Sequence, residues 1–306
     1  MKKLYLHVGL HKTGTSAIQS ALSLNSKKMI EKGFLYPGTG EFDAHHKLAA
    51  ALKMEDTSDL FVRFFTDSLR KSNNIIISSE IFSELNDLSA LACLNEIFDE
   101  INIIVYLRRQ DHLIESAYGQ IIKQNGETKT LSKVRPYFVD MYKHLNKFKA
   151  VLPDAKFILR NYDKRDLYRG DSGKDFFRHV LELDVDEFEW KGGVVNKSLS
   201  CVGVELLRRL NLHELKNRNE VVQEIIQASS SLGGKYTKPI TGGLMSFEER
   251  KELMLECADS NAQLEKVYGF RIPELSEKEE LLSSPEVKVF EVLELAISLL
   301  SEKYKK

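Results

Sequence analysis

The chain has 306 residues, 42% of them hydrophobic and 29% charged, and its 44 basic and 45 acidic residues leave a formal net charge of −1. That is too apolar and too near neutrality for a disordered chain, and 17 Gly with 6 Pro exclude a collagen-like fibre. No stretch approaches the ~18 consecutive apolar residues of a membrane helix, and the balanced charge argues against a dedicated nucleic-acid binder. The expectation is a soluble globular protein of one or two domains. The N-terminal MKKLYLHVGL reads as a buried strand and not a secretory signal, because His7, His11 and Lys12 interrupt a short apolar run. Cys93, Cys201 and Cys257 are widely spaced, with no CxxC, so neither a zinc site nor a disulfide framework is expected, and a cytoplasmic location follows as the default.

In chain order, residues 3–9 read as a strand, followed by a Gly/Thr turn and a helix over 15–32 that Gly33 would cap. A loop, Tyr36-Pro-Gly-Thr-Gly40, leads to His45-His46 and an Ala/Leu-rich helix within 41–54, and an amphipathic helix follows at 58–71. Residues 74–79 and 101–107 (INIIVYL) are continuously apolar, as strands covered on both faces are. A helix is expected at 111–124, a short strand at 156–159 and a helix near 173–183. This alternation predicts an α/β fold with a central parallel sheet flanked by helices. Beyond Ser200 only helices are expected, at 200–213, 215–228, 246–268 and 285–304, with a loop at 229–245. The expected division is a core over 1–199 and a mainly helical extension over 200–306, packed together as one domain.

Two anion-binding signals stand out. Gly9-Leu-His-Lys-Thr-Gly-Thr-Ser16 lies between a buried strand and a helix, where backbone N–H groups form an anion cradle. It keeps the glycines and the final hydroxyl of the nucleotide P-loop G-x-x-x-x-G-K-[ST], but Thr15 replaces the lysine, and a lysine sits at Lys12 instead. No strand ends in an Asp suited to magnesium. The second signal is Arg108, at the carboxyl end of INIIVYL, with Ser116 in the next helix. An arginine and a hydroxyl can share one phosphate. Together the two suggest a nucleotide with two separated phosphate groups.

With these motifs the chain resembles the sulfotransferases that use 3′-phosphoadenosine 5′-phosphosulfate (PAPS), most closely the glycan-type, heparan-like and bacterial members. Lys12-Thr-Gly-Thr-Ser16 is similar to their 5′-phosphosulfate loop, and Arg108 with Ser116 to their 3′-phosphate element. The resemblance covers roughly residues 1–200. It implies a P-loop NTPase-like fold, PAPS as co-substrate, metal-independent sulfuryl transfer and an acceptor such as a glycan. It implies that Lys12 stabilises the departing phosphate, that the Thr13, Gly14, Thr15 and Ser16 backbone with the Thr15 and Ser16 hydroxyls holds the 5′-phosphate, and that His11 shapes the loop or contacts ligand. Many members add a C-terminal Gly-rich loop. Trp190–Ser198 is the nearest segment here and matches it poorly, with Lys191 and Lys197 as its candidate cations.

A hydroxyl acceptor also needs a general base. His46, Glu80 and His45 are the candidates. The structural alternatives are a helix cap for the histidines and a dipole-stabilised acid for Glu80. Lys123, Lys129, Lys133 and Arg135 against Glu127 form a basic stretch that reads first as a solvated face and second as an acceptor contact. Tyr118, Tyr137 and Tyr142 read as packing residues. Two other functions fit the same fold: a P-loop-type small-molecule kinase, which Thr15 disfavours, and a non-catalytic nucleotide-binding module.

Overall fold

The computed structural model describes residues 1–38, 43–52, 58–134, 140–191, 199–213, 215, 217–237, 243–276 and 289–304. Five parallel strands form one sheet: β1 (Lys3–His7), β2 (Phe34–Leu35), β3 (Asn74–Ser78), β4 (Glu100–Leu107) and β5 (Lys156–Asn161), in the order β2-β3-β1-β4-β5. The expected α/β class is borne out. Ile75–Ile77 and Ile103–Leu107 are completely buried, which is why these strands read as unbroken apolar runs. β1 lies between β3 and β4, with His7 paired to Ser78 on one side and Ile104 on the other. The chain therefore crosses from β1 to the β2 edge, returns inward to β3, and then passes to β4 and β5 on the other side of β1. In open α/β sheets, ligands bind beyond the carboxyl ends of the strands at such a reversal.

The helix expected over 15–32 is two helices, α1 (Thr15–Leu24) and α2 (Ser26–Glu31). Asn25 breaks it: its amide donates to the Ala21 and Glu189 carbonyls (2.9 Å each) and accepts from Glu189 N at 2.8 Å. Next come α3 (His46–Ala51), α4 (Ser58–Leu69), α5 (Ile81–Glu84), α6 (Leu94–Ile97), α7 (Gln110–Asn125) and α8 (Met141–Val151). The helix expected near 173–183 is a single α-turn, α9 (Ser172–Asp175), running into a π-turn at Phe176–Val180. The C-terminal part is helical as expected, with α10 (Cys201–Leu210), α11 (Arg218–Leu232), α12 (Phe247–Glu256), α13 (Ala258–Tyr268) and α14 (Val289–Tyr304). The Ser229–Ser231 run, expected as loop, is helical, and Ser230 and Ser231 fold their hydroxyls back onto the Ile226 and Gln227 carbonyls (2.8 and 3.2 Å). No helix among the described residues is long and apolar enough to cross a membrane.

Contacts group the chain into two units. The first comprises Met1–Arg108, Asp140–Gly192 and Ser260–Ile272, and holds the whole sheet. Its core joins Ile18, Leu22 and Met29 to Ile76, Ile104, Tyr106, Phe176 and Phe177. The second comprises Arg109–Val139, Gly193–Asp259 and Pro273–Lys306, with Ile122, Leu207, Val222, Ile225 and Leu295 at its centre.

Candidate anion-binding site at the carboxyl end of the central strand

The loop between β1 and α1 is a tight coil of left-handed residues. Gly9, Lys12 and Gly14 have φ of 26°, 67° and 79°. Glycine takes such angles without strain, whereas a lysine there costs roughly 1–2 kcal/mol. Strain of this kind survives where the surroundings enforce it, and it clusters at ligand sites. The enforcement is visible. Ser83 Oγ donates to the Val8 and Gly9 carbonyls, and Thr13 Oγ1 donates to Leu10 O at 2.6 Å. A Cβ at Gly14 would collide with Ser172 Oγ and the Tyr162 ring, so only glycine fits.

α1 starts on Gly14 with no side-chain cap and no acidic residue in its first turn. Its leading N–H groups and positive dipole end are thus left to an anion. Ser172 Oγ fixes the turn from behind by donating to Gly14 O at 3.0 Å. Thr13 and Thr15 are buried, Ser16 is exposed, and His11 and Lys12 are half-buried. His11 Nε2 pairs with Glu84 of α5.

Arg108 follows the last residue of β4. Its guanidinium donates to Lys12 O at 2.9 Å and lies 5.2 Å over the Tyr162 ring. One arginine thus ties the strained lysine to the neighbouring strand end. Ser116 is half-buried on α7, in the second unit.

The carboxyl end of β3 gathers the candidate bases. His46 Nδ1 is 2.9 Å from Ser79 Oγ, and its Nε2 is 3.9 Å from Glu80 Oε1. The other Glu80 oxygen accepts from Gln19 Nε2 of α1 at 2.9 Å. His46 and Glu80 therefore lie side by side, with Glu80 anchored on the helix that begins at the anion loop. His45 points the other way. It is 3% exposed, packs edge-on to Tyr36 (4.7 Å) and accepts at Nδ1 from Ser78 N at 3.2 Å. Burial lowers its pKa to about 4, so it is a neutral core residue joining α3 to β3.

Tyr162, Ser172, Ser83, Gln19 and Ser79 support the site but carried no local signal in the sequence. Lys191 is exposed and donates to Ser20 Oγ at 2.6 Å. Lys197, Arg135 and Tyr137 lie outside the described residues. Tyr118 OH donates to Lys129 O at 2.9 Å, and Tyr142 packs on Tyr268, so both are packing residues.

An uncharacterized protein of Archaeoglobus fulgidus is 30% identical to this chain over 199 residues, covering 63% of the chain and 53% of the archaeal protein. The chain thus spans about half the length of that relative. No family model and no solved structure matches the sequence.

Proposed function

We propose that this protein is a sulfotransferase that moves the sulfuryl group of PAPS to a hydroxyl, with a carbohydrate as the acceptor class. The observation that carries this reading is the Lys12–Ser16 loop. A left-handed lysine whose carbonyl is held by Arg108 sits at the rim of an uncapped, acid-free helix start. A kinase would need its lysine at position 15, and there Thr15 is buried with its methyl turned toward Gly9.

The roles follow from the chemistry. The amides of Thr13 to Ser16 and the Ser16 hydroxyl bind the 5′-phosphate, and Arg108 binds the 3′-phosphate. The Glu80–His46 pair accepts the acceptor's hydroxyl proton. The acceptor oxygen then bonds to sulfur as the sulfur–oxygen bond to the 5′-phosphate breaks. The bonding pair leaves on the phosphate oxygen, where Lys12 offsets the developing charge. Catalysis is mainly positioning plus electrostatics.

Calorimetric titration with 3′-phosphoadenosine 5′-phosphate, in EDTA and with ADP as control, tests the reading. The expected result is micromolar or tighter binding that prefers the 3′-phosphate and is lost in Arg108→Ala. Binding of ADP alone, and only with magnesium, would sink it in favour of a kinase.

A further inference from the structure

His7, the last residue of β1, lies beneath the anion loop and has no part in the chemistry above. It is fully buried, its Nδ1 is 2.8 Å from Ser78 Oγ, and its ring sits edge-on to Tyr106 and Phe176 at 6.0 and 5.7 Å. Its Nε2 is buried and has no hydrogen-bond partner among the described residues. A buried polar nitrogen left unsatisfied costs about 1–3 kcal/mol, and native structures rarely carry one without a reason. The position of this nitrogen supplies the reason. A Cβ built on Gly9 would lie 3.5 Å from both His7 Cε1 and Nε2, and would also strike the Thr15 methyl. That edge of the ring therefore faces Gly9, the first residue of the loop. An anion loop calls for donors on its inner side. The Ser78 hydroxyl can donate to Nδ1, which leaves the proton on Nε2.

We propose that His7 Nε2–H is a further anion-binding donor of this loop, taking an oxygen of the tetrahedral phosphate or sulfonate group that the loop amides hold. The proposal rests on the reading of the loop as an anion site, and its test separates it from the sulfotransferase assignment. Burial keeps the imidazole neutral by lowering its pKa to about 4, against a smaller opposing effect of Glu80.

The test combines two variants with a direct spectroscopic reading of wild-type protein carrying ¹⁵N-labelled histidine. His7→Phe keeps the contacts to Tyr106 and Phe176 and removes the donor, whereas His7→Gln restores an N–H near the same place. The expected results are a shift of the His7 Nε2 resonance on saturation with 3′-phosphoadenosine 5′-phosphate, binding about 10- to 100-fold weaker in His7→Phe, and recovery to within a few-fold in His7→Gln. An unchanged resonance at saturation overturns the proposal, as does a folded His7→Phe that binds like wild type. Should His7→Phe fail to fold, the wild-type resonance decides. If ADP or inorganic pyrophosphate shifts the resonance while 3′-phosphoadenosine 5′-phosphate does not bind, His7 keeps its role and the sulfotransferase reading falls. If none of these oxyanions binds, both fall.

Discussion

Lys12 is a lysine in a conformation that suits glycine, and this separates its two contributions. Its backbone costs stability, while its ammonium is the group proposed to serve the bound anion. Lys12→Gly removes both at once, so stability and affinity are expected to move in opposite directions. The variant should unfold at the same or a higher temperature, with a gain of up to about 1 kcal/mol. Its affinity for 3′-phosphoadenosine 5′-phosphate should fall about tenfold or more, the cost of losing a charge-assisted contact. Differential scanning calorimetry and titration on the same preparation check the pair, and a drop in stability without loss of affinity would remove Lys12 from the site. Gly14→Ala should behave differently. Its Cβ meets Ser172 Oγ and Tyr162 at a φ of 79°, so a loss of about 1–3 kcal/mol is expected in chemical denaturation. At this scale the sequence was partly legible. Gly9, Lys12 and Gly14 announce the loop because its conformation is set within a few residues. Which of two adjacent histidines faces the site was not legible, because the packing of Tyr36 and Ser78 turns His45 inward.

Among the elements, the short α9 has a large effect for its length. Asp175 at its end is completely buried and accepts hydrogen bonds from Tyr106 OH (2.9 Å), Arg160 Nε and Nη2 (2.9 and 2.7 Å) and Tyr168 N (2.9 Å). Burial alone would raise its pKa, but Arg160 and the Tyr168 amide outweigh it and hold the carboxyl below its ordinary value. The same turn carries Ser172, which grips Gly14 O, and Gly173, where a Cβ would crowd Ala17 O and Ala21 of α1. Asp175→Asn should therefore cost about 3 kcal/mol in urea unfolding, because it leaves the Arg160 charge poorly compensated. It should also speed amide exchange in the first turn of α1, on which α9 packs. Unchanged exchange at Thr15 and Ser16 would show that α9 is not the brace of the loop. None of this was legible in the sequence. The strands and long helices follow from local apolar patterns, whereas Asp175 gains its meaning from residues on β4 and β5, and Ser172 from a glycine 158 positions away. The break of the first helix at Asn25 has the same origin, since its partner is Glu189.

For the molecule as a whole, the two units differ in the buried histidines they hold, and pH should separate them. The first unit buries three neutral histidines, His7, His45 and His144, each with its pKa lowered to about 4 by burial. The neighbouring charges modulate this: Glu80 works against it at His7, the Pro37 and Ser78 backbone at His45, while His46 and Lys147 reinforce it at His45 and His144. An unfolded histidine titrates near 6.5, so between pH 6.5 and 4 the unfolded chain binds more protons than the folded one. Stability in this unit is thus complete above about pH 6.5 and falls as the pH drops toward 4, by on the order of 2 kcal/mol per histidine at pH 5. The second unit buries carboxylates paired with arginine, as Asp175 is in the first. Asp111 is paired with Arg109 and Arg250, and Glu115 with Arg250 and the Leu244 and Met245 amides. Burial would raise the Asp111 pKa, but the Arg109 hydrogen bonds, His112 and Arg250 hold it well below the carboxylate range. Its contribution persists until the pH falls below about 4. Trp190, the single tryptophan, packs on Phe177 in the first unit, so its fluorescence reports that unit alone. Thermal melts followed at Trp190 should shift steadily downward from pH 7 to pH 5, and His144→Phe should flatten that slope, since it removes one of the three titrating groups. A melting temperature constant over this range would mean that the three histidines are protonated in the folded state, which is incompatible with the geometry around His7 and His45.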